Sequence, residues 1–287
     1  MISISDLRSG QRASAVVNST ALRRLAIPLI GLLGVVLVAL PEVVRGRMPG
    51  DLGDSRFNAY VLEHGYLWLA GRTASFWDAP FFYPFPLTIA FSDNHLGTAV
   101  VYDLLRLLGY DRDDAYRGWY LFGFVANFIA ASYALRRLGH SYRATALGAF
   151  LFAFALPVTA QSLHTQLSYR FGVPLAILAL VRFERSRRLE YLLATGFWTV
   201  WQFYCTIYIG YFLCLLLGAF AVASAVHRAG ATPLSYWPRL MLVAWGNGSA
   251  RAHPFPACRR RSSRTLARLV LSLCRNKSAL RLRPSLA

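Results

Sequence analysis

The chain has 287 residues, of which 56% are hydrophobic and only 15% are charged, and its mean hydropathy is +0.40. Soluble domains contain about 45–50% apolar and about 25% charged residues, so this composition argues against a single soluble domain and excludes intrinsic disorder. The net charge of +18 would suggest a nucleic-acid partner. However, residues 246–287 hold ten of the Lys and Arg residues and no Asp or Glu, so much of the positive charge is concentrated in this segment. We therefore predict that residues 1–245 have no nucleic-acid partner.

Six apolar segments are interpreted as membrane spans, because about 20 apolar residues in a helix cross a bilayer. The first span, residues 25–44, has no small-residue cleavage site after it and is predicted to be a retained signal anchor. The later apolar segments are residues 119–135, 144–160, 171–183, and 189–226, the last divided into two spans by a turn near 205–210. A partial seventh run covers residues 234–245.

The distribution of charge predicts the orientation of these spans. Arginine clusters recur after every second span, which places them and the N-terminus in the cytoplasm. The clusters are Arg23 and Arg24; Arg136, Arg137 and Arg143; Arg182, Arg185, Arg187 and Arg188; and Arg228. Ten of the 13 acidic residues fall between Glu42 and Asp114, so residues 45–118 are predicted to form a large outer loop. The predicted protein is an all-α, polytopic bundle of about six spans in the inner (plasma) membrane.

The outer loop itself contains two predicted amphipathic helices. Residues 55–70 place an apolar face at three- and four-residue steps, which favours a helix lying on the membrane surface with Glu63 pointing away from that face. Residues 76–86 combine six aromatic residues with three prolines, which forbids a regular helix and suits an interface or an apolar groove. Residues 96–108 form the second amphipathic stretch, which is short for a span.

The acidic residues at the start of this loop are the first candidates for chemistry. Asp51 and Asp54 lie three residues apart between glycines, where a carboxylate could act as a general base or bind a divalent cation. The alternative is that Asp54 or Ser55 caps the following helix. Residues 111–113, Asp-Arg-Asp, match a metal-nucleotide pattern of soluble sugar transferases, although a solvated loop before a span explains them more simply.

Two further polar groups are candidates for binding. Asp93 and His95 could bind phosphate or metal, or Ser92 or Asp93 could cap the next helix. His164 and Arg170 belong to the second outer turn, between the third and fourth spans, and could contact an anionic lipid head group. The alternative for that turn is a short solvated connection.

Several of these segments resemble the polytopic glycosyltransferases of the GT-C superfamily. The resemblance lies in the N-terminal anchor and in residues 50–58, with the sequence Gly-Asp-Leu-Gly-Asp-Ser-Arg-Phe-Asn. It continues in Tyr83-Pro84, Ser92-Asp93 and the aromatic residues 201–211. The class usually has eight or more spans, so six is a departure from its pattern.

The resemblance implies an enzyme that moves a hexosyl or pentosyl group from a polyprenyl-phosphate donor at the outer membrane face. It implies that Asp54, and after it Asp51, is the catalytic acidic residue. Asp93 and His95 would hold the phosphate or the acceptor. The implied partners are the lipid-linked sugar and the bilayer, and a divalent cation is compatible with the site although the sequence requires no cofactor.

The physics of such a reaction adds arginine to the expected site. A lipid-phosphate leaving group lies at the interface, where arginine neutralises phosphate and a carboxylate activates the acceptor hydroxyl. Arg56 and Arg170 are available for phosphate, and His164 is a further predicted substrate-binding residue.

The chain is therefore divided into a cytoplasmic N-terminus (1–24), a GT-C-like membrane domain (25–245) and a basic tail (246–287). The abrupt change after residue 245 predicts a disordered or frameshifted tail, in which case the chain is a truncated piece of a longer enzyme. The alternative function is that of a non-enzymatic polytopic protein, either a transporter or an envelope scaffold, or that of an inactive fragment.

Overall fold

The computed structural model describes residues 24–44, 48–51, 53–155, 160 and 164–229. Regular structure in these residues is helical, and no strand occurs among them, which confirms the predicted all-α class. The eight helices are α1 (Arg24–Val44), α2 (Asp54–Leu69), α3 (Ala99–Leu107), α4 (Arg112–Arg137), α5 (Tyr142–Phe154), α6 (Gly172–Ser186), α7 (Leu189–Cys205) and α8 (Ile207–Ala229).

Three of these helices are long and apolar enough to cross a membrane: Arg24–Val44, Arg112–Arg137 and Ile207–His227. Residues 189–226 are divided into two helices as predicted, since Thr206 separates α7 from α8, and α8 is the one of the two that is a candidate span. The predicted apolar segments 144–160 and 171–183 correspond to the shorter helices α5 and α6. The partial seventh run, the N-terminal residues 1–23 and the basic tail lie outside the described residues.

The core is built around α4, which packs against α1, α3, α5 and α6. Its aromatic side chains Tyr116, Trp119, Tyr120 and Phe124 are buried, together with Tyr169, which follows the short 3₁₀ turn Thr165–Ser168. The Tyr169 hydroxyl donates a hydrogen bond of 2.6 Å to the backbone carbonyl of Trp119. Large aromatic rings bury much apolar area, so the side chains of α4 contribute a large share of the core between these helices.

α1 approaches this core through two glycines. A Cβ atom on Gly31 would lie 2.5 Å from the Phe128 ring, and one on Gly34 would overlap the Phe154 ring. Neither arrangement is sterically tolerable, so the absence of a side chain at both glycines allows α1 to pack against α4 and α5.

The environment of α2 differs from the prediction of a helix lying on a membrane surface. Val61 and Leu62 are buried, and so is Glu63, which was expected to point away from the apolar face of the helix. Glu63 points toward α3, where it forms an ion pair with Arg106, with 2.9 Å between Oε2 and Nε. Helix α3 thus gives this side of α2 protein partners that an isolated amphipathic helix lacks.

The proline-rich aromatic segment packs along the other side of α2. The Phe81 ring lies edge-on to those of Phe57 and Tyr60, and the Phe76 ring lies edge-on to that of Trp68. The face that was predicted to enter the membrane is therefore partly covered by residues 76–81. Helix α3 lies within the second predicted amphipathic stretch, residues 96–108.

Candidate active site

The connection between α1 and α2 places two carboxylates at the start of α2. Helix α2 begins at Asp54, directly after Gly53. One carboxylate oxygen of Asp51 accepts a hydrogen bond of 2.7 Å from the backbone N–H of Asp54. First-turn N–H groups lack partners within the helix, and the N-terminus favours negative charge, so Asp51 stabilises this end. The alternative in which Asp54 or Ser55 provides the cap is wrong, and the Asp54 side chain is available for other contacts.

The Asp54 carboxylate is joined to the 3₁₀ turn that lies between α5 and α6. Its Oδ2 accepts a hydrogen bond of 2.6 Å from Nδ1 of His164 and one of 3.0 Å from Nε2 of Gln166. These bonds, that from Gln166 first, lower the pKa of the Asp54 carboxyl below its usual range. The carboxylate is thus ionised at neutral pH, while its side chain remains 41% exposed.

Asn58, one turn further along α2, fixes the orientation of Gln166. Its Nδ2 donates to Oε1 of Gln166 at 2.9 Å and to Oγ1 of Thr165 at 3.0 Å. Because Oε1 of Gln166 accepts this bond, its amide N–H groups must face Asp54. The six side chains that we call the Asp54 cluster are Asp54, Asn58, His95, His164, Thr165 and Gln166.

His95 occupies the buried end of the cluster. Its Nε2 lies 2.9 Å from Oδ1 of Asn58, and its ring is edge-on to Trp119. Burial lowers the pKa of His95 to about 4, so the ring is neutral and Nε2–H is the donor. A side chain with no exposed surface does not fit the expected direct contact with a substrate. In this structure His95 acts on the site through Asn58.

The 3₁₀ turn that carries His164 and Gln166 is held in place by α4. The hydroxyls of Tyr116 and Thr165 lie 2.5 Å apart. Asn127 donates to the carbonyl of Ser168 at 2.6 Å and accepts from the backbone N–H of Arg170 at 2.9 Å. These buried bonds fix the turn from both sides, so the position of Gln166 is set by the central helix.

Asp93 lies near Asp54 but has a different role. It is buried, and its Oδ1 accepts a hydrogen bond of 2.6 Å from the backbone N–H of Ile207, the first residue of α8. Burial raises the pKa of Asp93, and the charge of Asp54 adds to that rise, while the bond from Ile207 opposes it. The sequence left open whether Asp93 caps the next helix; Asp93 stabilises the start of a distant helix instead.

The two predicted phosphate-binding arginines are placed differently. Arg56 is exposed on the first turn of α2. Arg170 is half-buried, and its Nε is buried without a hydrogen-bond partner among the described residues. Arg170 is therefore the better placed of the two to receive an anion, since a buried guanidinium N–H favours a charged acceptor.

The sequence did not single out Asn58, Thr165 or Gln166. The only local signal for Asn58 is its position one helical turn after Asp54, which puts both side chains on the same face. Gln166 belongs to a turn recognised as polar, but its partner lies more than a hundred residues away in the chain. No periodicity in a single sequence reports a contact of that kind.

The acidic pattern of residues 111–113 has a structural role. Asp111 is the N-cap of α4, and its side chain accepts a hydrogen bond of 2.8 Å from the backbone N–H of Asp114. Within the described ranges, no three His, Cys, Asp or Glu side chains converge as metal ligands. A divalent cation at the Asp54 cluster stays a prediction.

Comparisons with known proteins give a family but no activity. No curated protein and no solved structure matches the chain. A family described as a domain of unknown function, DUF6311, matches residues 63–250, a range that includes His95, His164 and Gln166. Since this match covers well over half of the 287 residues, the protein belongs to the DUF6311 family.

Proposed function

We propose that this protein is a membrane glycosyltransferase of the GT-C type, which moves a hexosyl or pentosyl group from a polyprenyl-phosphate donor at the outer membrane face. The observation that carries the proposal is the state of the Asp54 carboxylate. This carboxylate is ionised and lies shortly after the first candidate span, and a second segment fixes it while leaving it partly exposed. A carboxylate that assists proton transfer from an incoming hydroxyl, directly or through a group bonded to it, needs both properties.

The other acidic residues of this region support Asp54 by their different roles. Asp51, Asp93 and Asp111 each accept a hydrogen bond from a backbone N–H in the first turn of a helix. Glu63 is paired with Arg106. Among the described residues, the Asp54 carboxylate bonds to His164 and Gln166, which donate to it and leave it ionised. It therefore keeps the charge that an acceptor or a phosphate-bound cation would meet.

An apolar cavity supports a lipid-linked donor. It has a volume of about 380 Å³ and lies between α1 and α4, both candidate spans. Its lining includes Pro28, Leu32, Val125 and Ile129. Such a wall suits an isoprenoid chain, which gains free energy from contact with apolar side chains but offers no hydrogen bonds.

The orientation in the proposal has the Asp54 cluster outside and the N-terminus in the cytoplasm, with six spans in the inner membrane. Tyr116, near the start of α4, contacts the cluster through Thr165. Arg136 and Arg137 lie at the opposite end of the same helix. A helix of 26 residues is about 39 Å long, so the length of α4 that separates the Asp54 cluster from Arg136 and Arg137 matches the thickness of a bilayer.

The phosphate of the donor is assigned to Arg170, with Arg56 as the exposed alternative. An arginine fork binds phosphate oxygens in a planar geometry and stabilises the charge that develops as the sugar–phosphate bond breaks. Asp93 and His95 support this region from behind the exposed side chains, as their burial indicates.

The test is sugar transfer by membranes that contain the protein, with a panel of polyprenyl-phosphate sugars as donors. Asp54→Asn keeps the size of the side chain but removes its charge, and we expect it to lower the rate by about 10²- to 10⁴-fold. Asp113→Asn is the matched control, because Asp113 is exposed on the first turn of α4, and its rate should equal that of the wild type.

Two results would overturn the proposal. A wild-type protein that consumes none of the donors would favour the non-enzymatic alternative, a transporter or envelope scaffold. Equal rates for Asp54→Asn and the wild type would remove Asp54 from the reaction.

A further inference from the structure

Resting on the proposed function, we infer that His164 is the group that takes the proton from the acceptor hydroxyl, and that Asp54 is the positioning residue that orients it. The contact between them has the geometry of a carboxylate–imidazole pair, with 2.6 Å between Oδ2 and Nδ1. This assignment differs from the sequence-based expectation, in which Asp54 is the base and His164 only binds substrate.

The protonation state of the pair follows from hydrogen bonding. An ionised carboxylate has no proton to donate, so the proton of the contact belongs to Nδ1 of His164. In a neutral ring this leaves Nε2 unprotonated, and Nε2 lies across the ring from the Asp54 contact. The side chain of His164 is 54% exposed, so a substrate can reach it. The tautomer required of a general base is thereby fixed by Asp54.

Asp54 is the weaker candidate for the base itself. Oδ2 of Asp54, which accepts the hydrogen bond from His164, also accepts one from the side-chain amide of Gln166. Both bonds lower the pKa of the carboxyl, and a carboxylate of low pKa accepts protons poorly. The same properties favour a positioning role, because a carboxylate that stays ionised stabilises the imidazolium formed when His164 takes a proton.

The proposed step conserves atoms and electrons. The acceptor oxygen forms a bond to the anomeric carbon, and the bond from that carbon to the phosphate oxygen breaks, leaving its electron pair on the phosphate. The hydroxyl proton moves to Nε2 of His164. The imidazolium then returns its proton to water, and nothing is oxidised or reduced.

Gln166 and Asn58 extend the positioning of the pair into the core. His95 donates to Asn58, Asn58 donates to Gln166, and Gln166 donates to Asp54. Each amide in this series is fixed at both of its ends, so the carboxylate cannot rotate away from His164 without breaking a bond. Proton transfer is sensitive to such misplacement, which gives the buried residues a role in rate although they do not touch substrate.

The first experiment measures sugar transfer by His164→Ala in the assay used for Asp54. We expect kcat to fall by about 10²- to 10⁴-fold with little change in KM, and added imidazole to restore part of the rate in proportion to its concentration. His140→Ala is the matched control, because His140 is exposed beyond the end of α4. It should keep the wild-type rate and show no response to imidazole.

The second experiment does not depend on catalysis. Histidine ¹⁵N spectra of the purified protein in detergent should show His164 as the Nδ1–H tautomer, and Asp54→Asn should shift it toward the Nε2–H form. Assignment of the resonance by comparison with His164→Ala keeps the measurement specific to this ring.

The outcomes separate the inference from the proposed function. Transfer by the wild type together with full activity of His164→Ala overturns the inference alone, as does an Nε2–H tautomer in the wild type. Absence of transfer with every donor overturns the proposed function and the inference that rests on it. Loss of rate with imidazole rescue, together with the Nδ1–H tautomer, supports both.

Discussion

Asp54 and Glu63 lie on the same helix, yet their carboxylates have opposite surroundings. The Glu63 side chain is 9% exposed, and Arg106 binds both of its oxygens, at 2.9 and 3.1 Å. The Tyr102 hydroxyl adds a bond of 2.7 Å. Asp54 is 41% exposed, and within the described part of the chain its carboxylate is bonded by a histidine and an amide. The comparison teaches that a buried carboxylate with both oxygens bonded by arginine and tyrosine stabilises the fold. A partly exposed carboxylate that is bonded to a histidine remains available for chemistry.

The largest effect on stability is expected for substitution of Glu63. Glu63→Ala leaves Arg106 and the buried Tyr102 hydroxyl without their partner, so the free energy of unfolding should fall by about 3–5 kcal/mol. Thermal unfolding in detergent micelles measures the loss. The rate of sugar transfer per folded molecule should change little, in contrast to Asp54→Asn.

Glu190→Ala is the control for that experiment. Glu190 is paired with Arg188 at 2.9 Å, and both side chains are more than half exposed, so the ion pair contributes about 0–1 kcal/mol. An equal loss of stability in both variants would contradict the distinction between the two kinds of carboxylate. Loss of transfer in folded Glu63→Ala would also break the comparison, since Glu63 would then belong to the active site.

A second prediction concerns the buried end of the Asp54 cluster. The pKa of His95 is lowered from 6.5 to about 4, so the unfolded chain takes up a proton over this interval that the folded chain does not. The free energy of unfolding therefore falls as the pH decreases from about 6.5 to about 4, by about 2 kcal/mol at pH 5, and is unaffected by His95 below that range.

The measurement is the pH dependence of unfolding for the wild type and for His95→Gln. The variant should lack the component due to His95, so its curve is flatter between pH 6.5 and 5, whereas His140→Gln should follow the wild type. Parallel curves for the wild type and His95→Gln would show that His95 is not buried in its neutral form.

The smallest effect on the free energy of unfolding is expected for Asp51 variants, which test whether Asp51 caps the helix or takes part in catalysis. Asp51→Ala removes the acceptor for the Asp54 N–H and should cost about 0.5–2 kcal/mol, while Asp51→Asn retains an oxygen acceptor and should cost less. Sugar transfer by Asp51→Asn should stay close to the wild-type rate. A loss of transfer as large as that expected of Asp54→Asn would make the two carboxylates a catalytic pair and end the assignment of Asp51 as a cap.

The local features of the fold were largely predictable from the sequence. Apolar runs and their breaks predicted α1, α4 and the division at Thr206, because helix length and hydropathy are properties of neighbouring residues. The same holds for α3. Asp54 was preferred over Asp51 by resemblance to a family, and the contacts of the two carboxylates support that order without testing the activity.

The surroundings of individual polar residues were not predictable. Glu63 was expected only to point away from the apolar face of its helix, because helical periodicity describes one helix at a time, and its partner Arg106 belongs to another. His95 was expected to meet a substrate because Asp93 and His95 lie close together in the sequence and because the family resemblance implied that they hold the phosphate or the acceptor. Its burial against Trp119 depends on how the loop docks against α4.

Composition and hydropathy by themselves determined that this protein is helical, apolar and strongly asymmetric in charge, because those properties follow from residue type and short-range spacing. Only the tertiary structure decided which carboxylate caps a helix, which is paired with arginine and which faces a histidine. These roles depend on bonds between residues that are distant in the chain, such as Asp54 with His164 and Asp93 with Ile207. The free energy of such a bond is set by burial and geometry, and neither quantity is encoded in the residues on either side.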